Sequence, residues 1–303
     1  MKRRDFIQLL GGVTLGGLLL NSRAFSLSQA LAVSPKISLA QWSLHRTLRS
    51  GKLTTLDFPA ATRGWFGLDA VEYVNQFFAD KARDQPFLTQ LKQRADDVGV
   101  RSLLIMIDGE GDLAATDSSL QQQAIENHYP WVVAAHTLGC HSIRVSIGDS
   151  GTDKAAAAQA AVMGLSKLAQ FASDYGIQII VENHMGHSMD VVWLSEVLRQ
   201  VQRADVGSLP DFGNFSGDLY QGTALLLPFA KGISAKTYAF DQHGAESSMD
   251  YFRLLQSIHQ AGYNGYIGIE YEGTEPDEIA GIRNSQRLLE RMIAKLWQAG
   301  AAS

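Results

Sequence analysis

This 303-residue chain has one cysteine and fewer basic than acidic residues, which excludes an intrachain disulfide and disfavours binding to nucleic acid. The single cysteine, Cys140, cannot form an intrachain disulfide, and its apolar neighbours predict a buried thiol. Against 26 basic residues stand 31 acidic ones, which gives a formal net charge of −5. A negative field repels phosphate backbones, so we expect no nucleic-acid partner.

A long apolar run is also missing, because the run Leu9–Leu20 is diluted by glycines and is too short to span a membrane. It follows Arg3-Arg4-Asp5-Phe6-Ile7, a twin-arginine export pattern, and precedes Ala30-Leu31-Ala32, a small-x-small cleavage site. This order predicts a twin-arginine signal peptide over residues 1–32 rather than an uncleaved anchor. We therefore expect a periplasmic or otherwise exported protein, residues 33–303, with no stable membrane span after cleavage. Its 22 basic and 30 acidic residues give a net charge of −8.

The mature chain alternates short β-branched runs with longer segments of helical apolar spacing. Helices are predicted at Ala155–Tyr175, Val191–Val201 and Tyr251–Ala261. Eight such repeats in about 270 residues fit an α/β protein with a single (β/α)₈ TIM-barrel domain. The alternative is an open doubly wound sheet, which usually has a Gly-rich loop after its first strand, and this chain has none there. The predicted strands are Ile37–Trp42, Leu68–Tyr73, Ser102–Ile107, Ser142–Ile147, Ile177–Glu182, Val206–Asp211, Ile233–Tyr238 and Tyr266–Tyr271.

Polar side chains gather where these strands end, which is where TIM barrels carry their chemistry. A carboxylate that ends an apolar strand, such as Glu182 or Glu270, needs a cation, a metal or hydrogen-bond donors as its partner. One such acid could equally face water, but four successive strands with this pattern favour a site. The residues predicted to contact a substrate there are Trp42, Glu72, Asp108, Arg144, His184, Asn214 and Tyr238.

Carboxylates on strands five, six and eight are predicted to converge on a divalent metal. Glu182, Asp211 and Glu270 offer the oxygen ligands that Mg²⁺ or Mn²⁺ prefers. Without a double positive charge nearby, three such groups would repel one another strongly. His184 lies two residues beyond Glu182 and shares its face if the strand continues, so it is predicted to be a hydrogen-bonding residue at the pocket.

Five short segments, in strand order over the whole mature chain, resemble the sugar phosphate isomerase/epimerase family, the xylose-isomerase-like TIM barrels. They are Gln41-Trp42-Ser43, Val71-Glu72-Tyr73-Val74-Asn75, Val181-Glu182-Asn183-His184, Pro210-Asp211-Phe212-Gly213-Asn214 and Ile269-Glu270-Tyr271-Glu272-Gly273. The resemblance implies that Glu182, Asp211 and Glu270 bind the metal and that the two glutamates act as acid and base. It also implies a His on strand seven and a His after the strand-six Asp, where this chain has Lys236 and Asn214.

The lysine leaves two arrangements open, because a protonated amine has no lone pair for a metal. Lys236 either pairs with the carboxylates and replaces part of the metal's charge, or reaches the substrate beside a metal held by three carboxylates and water.

The predicted function is isomerisation or epimerisation of a sugar or keto-sugar by proton transfer next to a carbonyl. Glu182 or Glu270 would remove the proton, and Lys236 or a cation would stabilise the enediolate. Lyase or dehydratase chemistry on a keto-sugar uses the same enolate and stays a close alternative. Phosphodiester cleavage, the alternative from another enzyme class, would need a metal cluster with several histidines. Most of the predicted strand ends have no histidine, and the net negative charge disfavours a nucleic-acid substrate. A non-catalytic exported sugar-binding protein is the alternative outside enzymology.

Overall fold

Eight parallel strands form one sheet in the computed structural model, which describes residues 33–148 and 153–298. The strands are β1 (Lys36–Ala40), β2 (Ala70–Val74), β3 (Arg101–Met106), β4 (Ser142–Val145), β5 (Gln178–Glu182), β6 (Val206–Leu209), β7 (Ile233–Thr237) and β8 (Tyr266–Tyr271). Their order in the sheet is β6-β5-β4-β3-β2-β1-β8-β7. An isolated parallel bridge between Asp211 and Ser234 joins the chain after β6 to β7 and closes the ring. This confirms the predicted (β/α)₈ barrel.

Helices connect the strands and cover the outside of the barrel. They are α1 (His45–Arg49), α2 (Phe58–Ala61), α3 (Gln85–Asp97), α4 (Ser118–Leu138), α5 (Lys154–Ser173), α6 (Val191–Val201), α7 (Leu219–Leu226), α8 (Tyr251–Gln260) and α9 (Glu278–Ile293). Short 3₁₀ or π turns occupy Gln41–Leu44, Thr62–Phe66, Asn75–Lys81, Gly186–Met189, Leu227–Phe229 and Ala294–Gln298. The three helices predicted from apolar spacing are present with ends that differ by at most about two residues.

Each helix from α3 to α9 begins after an aspartate whose carboxylate accepts a backbone N–H of the first turn. This is the N-cap interaction that satisfies amide groups without a helical partner. The capping residues are Asp84, Asp117, Asp153, Asp190, Asp218, Asp250 and Asp277. A recurrent use of aspartate for capping therefore accounts for part of the chain's acidic excess.

The apolar core has two parts, and the smaller one supports the site. The larger part lies between the strands and the helices and includes the buried Cys140. The smaller part fills the barrel interior and includes Ile180 of β5 and Leu209 of β6. Side chains two residues apart on a strand share a face, so Glu182 and Asp211 face the interior directly beyond those two residues.

Six of the eight strands end one or two residues from their predicted positions, and two of these differences bear on the site. β2 ends at Val74 rather than Tyr73, so Glu72 lies in the middle of the strand and not at its end. β6 stops at Leu209, because the Pro210 that follows has no N–H to donate to a neighbouring strand. The predicted signal peptide over residues 1–32 lies outside the described residues. Within the part of the chain that the structure describes, no helix is both long and apolar enough to cross a membrane.

Candidate active site

Three carboxylates from three strands meet inside the carboxyl end of the barrel. Glu182 is the last residue of β5, Asp211 follows the end of β6, and Glu270 lies near the end of β8. They are almost fully buried, with exposed fractions of 2%, 0% and 5%. Each offers one oxygen that lies within 4.8 Å of the oxygens from the other two. The structure therefore brings together the three residues that the sequence analysis selected as metal ligands.

Asn183, which the sequence analysis did not select, fixes Asp211 in place. Its side-chain amide donates to the Asp211 carbonyl oxygen at 2.9 Å, and its Oδ1 accepts from the Asp211 backbone N–H at 2.9 Å. The same amide donates to the Asn214 carbonyl oxygen at 2.7 Å. Three hydrogen bonds from one buried side chain thus tie the end of β5 to the loop after β6.

Ser234 of β7 joins two of the carboxyl groups and was also missed. Its Oγ lies 2.7 Å from Asp211 Oδ2 and 2.6 Å from Glu270 Oε2. A hydroxyl has a single proton to donate, so both contacts become hydrogen bonds when one carboxyl group is protonated and donates to Oγ. The sequence signal for Ser234 is its spacing, because it lies two residues before Lys236 and shares its face of the strand.

Lys236 lies among three carboxylates at the end of β7. Its Nζ is 3.4 Å from Asp211 Oδ2, 3.5 Å from Glu270 Oε1 and 3.4 Å from Glu272 Oε1. Burial disfavours the charged amine, but these acids outweigh burial and hold the pKa of Lys236 above its ordinary value. The side chain is therefore a buried ammonium, and Glu272 is a fourth acid of the site that the sequence analysis assigned no role.

Arg144 of β4 supplies the second buried cation. Its Nη1 donates to Asp108 Oδ1 at 2.5 Å. Its Nε lies 2.8 Å from Glu182 Oε2, but the N–H is not aligned for a hydrogen bond, so this contact is an ion pair only. Oε2 of Glu182 therefore keeps a lone pair that no described hydrogen-bond donor uses.

Burial and nearby charges raise the pKa of two of the three carboxyl groups and lower that of the third. Burial raises the pKa of Glu182 to about 7, against the influence of Arg144, and it raises the pKa of Asp211 to about 7, against that of Lys236. Burial also opposes ionisation of Glu270, but the Lys236 ammonium and the Ser234 hydroxyl outweigh it and keep the pKa of Glu270 below its ordinary value. Two acids with unlike pKa values in one site suit acid–base catalysis.

Three further residues predicted to contact a substrate, Asn214, His184 and Tyr238, lie beside this centre, and Trp42 follows β1 at the same end of the barrel. Trp42 packs on the interior core and stacks on His45, with 5.1 Å between the ring centroids. The Asn214 side-chain amide lies 3.5 Å from Glu182 Oε1. His184 is partly buried, its Nδ1 makes no hydrogen bond with any described residue, and burial lowers its pKa. Burial raises the pKa of Tyr238 to about 12, so its phenol stays protonated at neutral pH.

Glu72, the remaining predicted contact, lies deeper in the barrel. Its carboxyl group packs against Gly268 of β8, two residues before Glu270, and accepts a hydrogen bond of 2.6 Å from the Ser38 hydroxyl. Burial raises its pKa to about 7. The side chain is therefore inside the ring of strands, one layer below the three carboxylates.

The centre fits a divalent cation. Carboxylate oxygens suit Mg²⁺ or Mn²⁺, and Oε2 of Glu182, which forms an ion pair with Arg144, accepts no hydrogen bond from a described residue. The charge balance agrees, because five carboxylates share two cationic side chains. These groups are Asp108, Glu182, Asp211, Glu270 and Glu272 on one side, and Arg144 and Lys236 on the other. Glu182, Asp211 and Glu270 are the residues that would hold the ion.

A family model described as a xylose isomerase-like TIM barrel matches residues 64–292, which is more than half of the chain. The matched range includes Glu182, Asp211, Lys236 and Glu270.

Two curated relatives match a shorter part of the chain. It is 28% identical over 88 residues to the 3'-dehydrocarminate deglycosidase alpha subunit of a Microbacterium species. It is 31% identical over 74 residues to the C-glycoside deglycosidase alpha subunit of Arthrobacter globiformis. These matches cover 28% and 22% of this chain and 25% and 21% of the relatives. The chain therefore spans about a quarter of the length of the curated relatives it matches.

Solved structures share the fold over nearly their whole length. An L-ribulose 3-epimerase has a TM-score of 0.69 at 13% identity, over 88% of this chain and 97% of its own. The IOLI protein, crystallised with a zinc atom, has a TM-score of 0.70 at 14% identity, over 86% and 99%. A probable 3-DHS dehydratase from Bacillus anthracis has a TM-score of 0.65 at 13% identity, over 84% and 98%.

Proposed function

The chain belongs to the xylose isomerase-like TIM barrel family, and from this premise we propose that it is a sugar isomerase or epimerase that moves a proton next to a carbonyl group. One observation carries the proposal. Glu182 and Glu270, two buried carboxyl groups with unlike pKa values, face one space beside the cations Arg144 and Lys236. Epimerases among the structural neighbours, such as the L-ribulose 3-epimerase, support the same class of substrate.

The ionised Glu270 carboxylate is the group that removes the proton from the carbon next to the carbonyl. Its low pKa leaves it deprotonated at neutral pH, as a base must be. The electron pair of the broken C–H bond moves to the carbonyl oxygen and forms an enediolate. Glu182, with a pKa of about 7, then returns a proton to the intermediate. Addition at the same carbon from the opposite face gives the epimer. Addition at the neighbouring carbon, with transfer of the hydroxyl proton from one enediolate oxygen to the other, gives the isomer.

Buried cations lower the energy of the enediolate. The Lys236 ammonium and the Arg144 guanidinium are fixed by ion pairs before the substrate arrives, so they need no reorganisation as negative charge develops. A divalent ion on Glu182, Asp211 and Glu270, when bound, supplies Lewis-acid stabilisation of the same oxygen. The Ser234 hydroxyl keeps Asp211 and Glu270 together.

Elimination from a keto-sugar is the second candidate, and the curated relatives favour it. Both are named as deglycosidase subunits, one acting on a 3'-dehydro compound, and one structural neighbour is a probable dehydratase. With a ketone at C3 of the sugar ring, the base removes the proton from C2. The electron pair forms a C1–C2 double bond, the bond from C1 to the leaving group breaks, and that group departs with a proton from the acid. The first step is the same as in epimerisation.

Proton NMR in D₂O tests both candidates in one experiment. The full-length protein is incubated with ketopentoses, ketohexoses and 3-keto-glucosides, with Mn²⁺ or Mg²⁺ and separately with a chelator. An epimerase or isomerase replaces the proton next to the carbonyl by deuterium and keeps all substituents, whereas an eliminating enzyme also releases the group on C1. Absence of exchange with every keto-sugar would contradict the proposal and favour a non-catalytic binding protein.

A further inference from the structure

The Tyr238 side chain follows β7 and lies half-buried beside the carboxylate centre. Among the described residues, its Oη neither donates nor accepts a hydrogen bond. Burial raises the pKa of Tyr238 to about 12, and the charged groups that also act on this pKa are Lys236, Asp211, Glu272 and Glu270. All four belong to the centre, so the phenol is a neutral hydrogen-bond donor that faces it, and its proton is available to a bound molecule.

Gly213, in the loop after β6, shows how close the phenol lies to Lys236. A Cβ atom at Gly213 would lie 2.5 Å from Lys236 Cδ and would overlap Tyr238 Oη. The hydroxyl and the lysine stem therefore border one small space, which stays open because residue 213 has no side chain. The Gly213 N–H donates to Asp211 Oδ1 at 2.7 Å and so fixes this backbone against the centre.

The backbone of Tyr238 is also held in place. A Cβ atom at Gly273, in the loop after β8, would overlap the Tyr238 carbonyl oxygen, so the two chain segments pack directly on each other. Next to this contact, the Glu272 N–H donates to the Thr237 carbonyl oxygen at 2.9 Å. The phenol is therefore positioned before a substrate arrives, as a group that stabilises developing charge must be.

The phenol supplies what the neighbouring ammonium lacks. Lys236 has three N–H donors, and oxygens of Asp211, Glu270 and Glu272 already lie 3.4 to 3.5 Å from its Nζ. It therefore contributes mainly positive charge. An enediolate oxygen also needs a donor directed at it, and Tyr238 Oη carries one that no described residue uses.

We propose that Tyr238 is a catalytic residue, whose phenol donates a hydrogen bond to the carbonyl oxygen of the substrate and holds that oxygen as it becomes the enediolate oxygen. The inference rests on the proposed function. The proton stays on the phenol throughout, while the electron pair of the broken C–H bond moves to the oxygen. Because epimerisation, isomerisation and elimination begin with the same step, Tyr238 has the same role in all three.

Tyr238→Phe tests the proposal, since it removes the hydroxyl and keeps the ring. Deuterium incorporation into the keto-sugar that the wild type accepts is measured by proton NMR over a range of substrate concentrations, which gives kcat and KM. We expect kcat to fall by about 10²–10³-fold, the loss typical of one oxyanion donor, and KM to change by less than about threefold. The Tm should stay unchanged, because the hydroxyl has no protein partner to lose.

Tyr129→Phe is the matched control. Tyr129 is a half-buried tyrosine on α4 that packs on Phe171 of α5, with 3.9 Å between the ring centroids, and its kcat and KM should equal those of the wild type. A Tyr238→Phe variant with wild-type kcat would overturn the proposal while the proposed function stands. A raised KM at unchanged kcat would overturn it too, because the hydroxyl would then only bind the ground state. Absence of exchange in the wild type would contradict the proposed function and, with it, this role of Tyr238.

Discussion

Residue 236 shows how one side chain changes the electrostatics of a shared scaffold. A histidine there would be a neutral nitrogen ligand, whereas Lys236 brings a positive charge within 3.5 Å of Asp211 and Glu270 oxygens. The ammonium repels a metal ion bound by the same oxygens. It also keeps Glu270 ionised, as a base requires. In the proposed mechanism, Lys236 therefore weakens metal binding and places a fixed cation beside the proposed base.

Lys236→His should tighten Mn²⁺ binding at least about tenfold, because a charge that repels the ion is removed and a nitrogen ligand is added. Lys236→Gln is the control, since it removes the charge without adding a comparable ligand, and it should tighten binding less. Both variants should lower kcat if the ammonium stabilises the enediolate. Calorimetric titration with Mn²⁺ measures the affinity, and unchanged affinity in both variants would mean that these carboxylates do not bind the ion.

The sequence identifies the charged residues of the centre except Glu272, but not the residues that hold them in place. Glu182, Glu270 and Lys236 are predictable, because each is a charged side chain at or near the end of an apolar strand. Ser234 and Asn183 are uncharged, and serine and asparagine are common at many positions, so their spacing from Lys236 and Glu182 does not by itself single them out. Their roles depend on distances between neighbouring strands, which only the closed barrel sets.

An aspartate N-cap begins each helix from α3 to α9, and its contribution to the free energy of unfolding can be measured. Asp117 illustrates it, because its Oδ1 accepts from the backbone N–H groups of Ser119 and Leu120, both at 2.9 Å. These amides have no helical partner, so the cap stabilises the first turn of α4.

Asp117→Ala should lower the free energy of unfolding by about 1 kcal/mol. In a protein of this size that corresponds to a fall in Tm of roughly 2 °C. Asp117→Asn keeps an accepting oxygen at the cap and should change Tm much less. Thermal unfolding followed by circular dichroism checks both, and an equal loss in the two variants would assign the effect to charge rather than to capping.

Strand boundaries are the weakest part of the element-level prediction. Apolar patterning predicts that β2 ends at Tyr73, which would place Glu72 at the mouth of the pocket. The strand continues to Val74, and the Glu72 carboxyl group lies inside the barrel beside Ser38. Apolar patterning cannot distinguish the last strand residue from the loop that follows, because hydrogen bonds between strands define that boundary.

At the scale of the whole molecule, the prediction of export rests on residues 1–32 alone. The Arg3-Arg4 pair and the Ala30-Leu31-Ala32 site predict a mature chain that begins at Val33 and lies outside the cytoplasm. N-terminal sequencing of the protein from fractionated native cells checks this. A double variant with Arg3→Lys and Arg4→Lys should stay in the cytoplasm with Met1 retained, while a wild-type chain that begins at Met1 in the cytosol would contradict the prediction.

The central claim is that Glu182 and Glu270 exchange a proton next to a carbonyl, and deuterium incorporation in matched variants tests it most directly. Glu182→Gln and Glu270→Gln keep the size of each side chain and remove its basicity. Glu196→Gln, on the exposed surface of α6, is the control. On the keto-sugar that the wild type accepts, each site variant should lower the rate at which deuterated product forms by at least about 10²-fold, with thermal unfolding still cooperative and the control unaffected. Wild-type exchange rates in both site variants would contradict the claim.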